Sequence, residues 1–149
     1  MVILALAALP LLGGGASKGE ARPFKAKSVA YVTADYGPTY DVVMHGQATH
    51  LGKFEGQFLG VQWYPEGEDG PANVGSGTLI AANRDSVTIH MVDYLFYMDE
   101  SLAVCHGTYD ITGGTSHFSN ASGHGTYIAV FDFTGANPPE FTFDGTIVY

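Results

Sequence analysis

From residue 22 onward the chain alternates short β-branched and aromatic runs with clusters of Gly, Pro, Asn and Asp, and no run carries the apolar period of an amphipathic helix. Eight runs can be read, at residues 24–33, 40–50, 54–63, 74–82, 86–97, 102–112, 125–134 and 141–149. The breaks between them are turn-formers such as Tyr36-Gly37-Pro38, Asn83-Arg84-Asp85 and Asn137-Pro138-Pro139, with an acidic loop at residues 65–71 and a Gly/Ser-rich stretch at 113–123. Strands this close in sequence pair with their neighbours. Eight of them predict an all-β, eight-stranded antiparallel up-and-down β-barrel, with a two-layer sandwich as the alternative. Closure into a barrel removes the exposed edges. The glycines inside runs, among them Gly75, Gly107, Gly125 and Gly145, are expected at bends, bulges or close backbone approaches.

A length of 149 residues holds one such domain. Met1 to Leu12 carries no charged or polar side chain. Twelve residues are too few for a membrane-spanning helix, which needs about 20. They match the apolar region of a secretory signal, with Pro10 and Gly13-Gly14-Gly15 behind it, although no basic residue precedes it; a buried first strand is the alternative. The reading is a signal peptide over residues 1–21, a barrel domain over 22–149, and a secreted or periplasmic protein. One cysteine excludes an internal disulfide framework.

The formal charge is −9, and it is unevenly spread. Residues 1–53 hold five basic and three acidic groups, whereas residues 54–149 hold Arg84 alone against twelve acids. Such a chain lacks the basic face that nucleic acid requires, and it is unsuited to anionic lipid, so neither a nucleic-acid nor a membrane partner is expected once the signal is removed.

Side chains alternate in and out along a strand. In the fifth run the odd residues Val87, Ile89, Met91, Asp93, Leu95 and Tyr97 are the more aliphatic set and are placed inside. Asp93 then sits among apolar groups, which raise a carboxyl pKa, and becomes a candidate general acid or base. By the same logic Phe54, Phe58, Cys105, Tyr109, Tyr127, Phe131, Phe141 and Phe143 face inward. A four-residue turn after Tyr97 pairs Asp93 with His106, and a slip by one residue pairs it with Cys105. Asp93 and His106 are therefore the candidate catalytic residues. Phe54, Phe58, Tyr97, Tyr109 and Tyr127 are the candidate ligand-binding residues. The six histidines show no metal-ligand spacing, and Cys105 has no basic neighbour to activate it, so no metal and no cofactor are expected.

Several segments carry a resemblance. They are Arg22-Pro23-Phe24-Lys25, Gly46-Gln47-Ala48-Thr49-His50-Leu51-Gly52, Gly75-Ser76-Gly77-Thr78, the stretch from Thr112-Gly113-Gly114-Thr115 through Phe118 to Ala121-Ser122-Gly123, and Phe143-Asp144-Gly145-Thr146. In this order they resemble uncharacterised secreted bacterial proteins of the allene oxide cyclase barrel-like superfamily, which also holds the dirigent proteins. The resemblance implies a barrel with a lumen, and relatives that cyclise reactive small molecules or steer radical coupling. Asn83-Arg84-Asp85 and Gly114-Thr115-Ser116-His117-Phe118 depart from the usual bacterial pattern, and no catalytic residue of the plant cyclases matches a position here. The functional expectation is a secreted barrel that binds a small hydrophobic molecule in its lumen, as a binding module or a cofactor-independent isomerase or cyclase. The alternative is an extracellular or envelope interaction protein with a solid core, and either could form a homo-oligomer.

Overall fold

The computed structural model describes residues 19–68 and 70–149, with the side chain of Tyr97 outside the description as well; the leader reading falls almost wholly outside the described residues. Eight strands follow one another: β1 Arg22–Asp35, β2 Thr39–Ala48, β3 Gly52–Trp63, β4 Ala72–Ala81, β5 Ser86–Tyr97, β6 Leu102–Gly114, β7 Ser122–Asp132 and β8 Glu140–Val148. Each pairs antiparallel with the next, and β8 pairs back onto β1, so the sheet closes as an up-and-down barrel. The runs read from β-propensity and turn chemistry each became one strand. A short 3₁₀ turn, Ser116–Phe118, interrupts the Gly/Ser-rich loop.

Strict alternation builds the interior. Phe24 and Ala26 on β1, Phe54 and Phe58 on β3, Val87, Ile89 and Met91 on β5, Tyr109 and Ile111 on β6, and Phe141, Phe143 and Ile147 on β8 are all buried. Burying such side chains contributes about 1.5–3 kcal/mol each before entropy is charged against it.

The two ends of the barrel differ. At one end lie the β2–β3, β4–β5 and β6–β7 turns with the start of β1 and the end of β8. This end is packed shut. Phe118 is 2% exposed, and its ring lies 4.8 Å from that of Tyr149. Tyr149 also meets His50 and His117 edge-on and lies under the Arg22 guanidinium. His50 bonds the Pro23 carbonyl at 2.9 Å and the Tyr149 hydroxyl at 3.1 Å, tying the β2–β3 turn to both chain ends. The Gly/Ser-rich stretch thus supplies a plug. At the other end, the β1–β2, β3–β4, β5–β6 and β7–β8 connections surround an opening.

Candidate functional site

Below that opening the lumen holds a cavity of about 330 Å³. Apolar side chains form most of its wall, including Met44 on β2, Phe58 on β3, Met91 on β5, Phe131 on β7 and Phe141 on β8. This volume is at the small end of ligand pockets, about 300–1,000 Å³.

One wall is polar. The Tyr40 hydroxyl donates to Asn73 Oδ1 at 3.1 Å. Asn73 Nδ2 donates to Asp93 Oδ1 at 2.8 Å. The Tyr127 hydroxyl donates to Asp93 Oδ2. All four residues line the cavity. Asp93 is 8% exposed, and its two oxygens each accept a donor, which offsets much of the cost of burying a carboxylate.

Glycine makes this arc possible. Gly107 on β6 pairs with Asp93 on one side and with Tyr127 on the other. A Cβ at Gly107 would overlap the Tyr127 ring, so the bare backbone lets that ring lie across β6 and reach Asp93. Gly60 does the same on the far side. It pairs with Tyr40, and a Cβ there would overlap the Tyr40 ring.

Burial is the main cause that shifts the neighbouring acids. The Tyr40 phenol is pushed up to about 12 by burial and then by the Asp93 charge. Burial also raises Tyr127 strongly, followed by the charge and hydrogen bond of Asp93. The Cys105 thiol is raised for the same reasons in the same order. At neutral pH all three therefore remain protonated around the carboxyl, and Cys105 is no nucleophile.

The expected site residues divide. Asp93 faces the lumen, among the apolar groups foreseen for it but also between two hydrogen-bond donors. Phe58 and Tyr127 line the cavity. Phe54 and Tyr109 face inward but pack outside the cavity; Tyr109 contacts Phe24 and Phe143 at ring distances of 6.0 and 5.5 Å. The Tyr109 hydroxyl is buried with no hydrogen-bond partner among the described residues. Tyr97 pairs with Ala103, but its side chain lies outside the description. The expected Asp93–His106 pair does not form. Asp93 stands opposite Gly107 and His106 opposite Tyr94, one step from the first register considered and two from the second. The turn spans one more residue than assumed, since Met98 and Asp99 both bond the Leu102 carbonyl. His106 consequently points outward, exposed, with its ring 5.9 Å from Phe96.

Tyr40 and Asn73 escaped the sequence reading. Tyr40 shares the inward phase of Val42 and Met44, so alternation could have found it. Asn73 stood next to an acidic loop and read as loop. Compared with models of protein families, with curated proteins and with solved structures, this chain matches none; an eight-stranded antiparallel β-barrel is the class to which the fold assigns it.

Proposed function

We propose that the barrel binds one small, mostly apolar molecule in its open half, with a polar group of that molecule set against Asp93. The cavity of about 330 Å³ with the Tyr40–Asn73–Asp93–Tyr127 arc along one wall carries this reading. The motif resemblance to the allene oxide cyclase-like barrels is of a piece with it, and family membership is part of the proposal. A buried carboxylate such as Asp93, held in place by the Tyr127 hydroxyl beside a bound substrate, is also what a cofactor-free isomerase or cyclase would use as its base.

The test is fluorescence titration with 1-aminoanthracene, a neutral probe of suitable size. The protein should bind it one to one. Gly75 faces the cavity with room for a side chain, its Cβ position lying 3.9 Å from Met91. Gly75→Leu should therefore fill the lumen and remove binding. Absence of binding, or binding that survives this substitution, sinks the reading.

A second reading rests on the outer face. Leu59, Val61 and Trp63 on β3, Tyr94 and Phe96 on β5, and Ile128 and Val130 on β7 are each 37–55% exposed. They share cross-strand rows with Val74, Val92 and Val104, and His106 sits between Tyr94 and Ile128. Their exposed parts amount to on the order of 600 Å², above an incidental patch and near the roughly 800 Å² per partner of a standard interface. We propose that a second copy of the chain covers this face. Sedimentation equilibrium should show a dimer or higher oligomer that Phe96→Glu converts to monomer; a wild-type monomer at about 100 μM would refute it, since such weak association needs only a few kcal/mol.

A further inference from the structure

Within the proposed pocket, the geometry points to a ligand that is a small organic cation, an alkyl or arylalkyl ammonium, rather than a neutral phenol or hydrocarbon. Three observations converge on that class.

The first is the sign of the charges. Asp93 and, at the mouth, Asp35 line the cavity, and among the described residues no Lys, Arg or His does. The ion pair found among the described residues, Lys25–Asp144, lies on the outside. Asp93 is thus a buried carboxylate with hydrogen-bond donors but no cation, which leaves part of its desolvation cost uncompensated.

The second is the direction of the hydrogen bonds. The Tyr40 hydroxyl is spent on Asn73, and the Tyr127 hydroxyl and one Asn73 N–H are spent on Asp93. What this wall turns to the cavity is mainly acceptor: two phenolic oxygens and the spare lone pairs of the carboxylate, which can accept about four bonds in all. A ligand that only accepts hydrogen bonds finds few partners there. An ammonium group supplies three donors and the missing charge.

The third is the remainder of the wall. Phe58, Phe131, Phe141 and the Tyr40 and Tyr127 rings surround the same space. Aromatic faces attract a cation and shelter the hydrocarbon attached to it. A carboxylate at the back and rings at the sides make one recognition surface for an amine with an apolar body.

The proposal rests on the pocket reading, so the experiment separates the two. Displacement of 1-aminoanthracene is measured with 2-phenylethylamine and with its neutral counterpart 2-phenylethanol, at about 0.5 M salt to screen the overall negative charge of the protein. The amine should bind at least about tenfold tighter than the alcohol, a difference of about 1.4 kcal/mol. Asp93→Asn, which keeps shape and one acceptor, should abolish that preference. Equal binding of amine and alcohol to the wild type overturns the cation assignment and leaves the pocket standing, and it requires no variant to fold. A preference that persists in Asp93→Asn overturns it too. Failure of 1-aminoanthracene itself to bind removes the pocket and, with it, this assignment.

Discussion

The two halves of the barrel are made of the same strands and follow the same alternation, yet one is solid and the other hollow. In the closed half, large side chains pack together inside the barrel: Phe24, Tyr109 and Phe143 from three strands, with Phe118 and Tyr149 as a cap. In the open half, Tyr40 and Tyr127 lie over Gly60 and Gly107, and Gly75 leaves its inward position without a side chain; Tyr109 lies over Gly125 and Gly145 in the closed half, but there Phe24, Phe143 and the cap fill the remaining space. An eight-stranded barrel is just wide enough for its interior to be filled or left vacant by such choices. The cavity follows from which inward positions carry large side chains and from the lack of a cap at that end among the described residues.

Tyr109 and Tyr127 set the contrast at a single residue type. Both are buried inward tyrosines. Tyr127 spends its hydroxyl on Asp93, whereas that of Tyr109 meets no partner among the described residues. The first belongs to a polar wall, and the second fills a core.

These differences can be broken experimentally, beginning with the largest effect. Phe118→Ala should open the plug and cost about 3–5 kcal/mol in urea unfolding. It should leave the affinity of the folded protein for 1-aminoanthracene unchanged; a large affinity change would show that the halves are coupled. Tyr127→Phe removes a bond to a charged acceptor and should cost about 1.5–3 kcal/mol, while Tyr109→Phe should be neutral or slightly stabilising. Equal costs for the two would erase the contrast. Alkaline titration followed by phenolate absorbance should show Tyr40 and Tyr109 ionising near pH 12 rather than 10, and Tyr40→Phe should remove one such step. The sign follows from the raised values. Their stabilisation is complete below about pH 10 and is lost as pH rises towards 12, so a protein equally stable at both would contradict the burial of these phenols. Lys25→Met, finally, removes an ion pair whose two side chains are 65% and 67% exposed, and should change stability by less than about 0.5 kcal/mol.

Much of the fold was legible because local rules produced it. β-Branched and aromatic runs separated by Gly, Pro, Asn and Asp located the strands, since turn chemistry acts within a few residues. Period-two alternation correctly set Asp93, Tyr109 and Tyr127 inside, because a strand's side chains cannot do otherwise once one face is apolar. The site was less legible. The partner of Asp93 depended on a turn whose length differed by one residue from the assumed one, and that residue set Gly107 rather than His106 opposite Asp93. Cross-strand register is a property of two chain segments and the turn between them, so no single run reveals it.

By itself, then, the sequence determined the strands, the inward set along most of them and the acidic balance of residues 54–149. Those properties are local or additive. Only the tertiary structure decided that one half is plugged and the other hollow, and that Tyr40, Asn73, Asp93 and Tyr127, drawn from four strands, form one hydrogen-bonded wall. The successive pairing of β2 through β7 brings residues 34 and 87 positions apart in sequence into one arc around Asp93. Which ring lies over which glycine is a relation between neighbouring strands, fixed by their register and not by either strand alone.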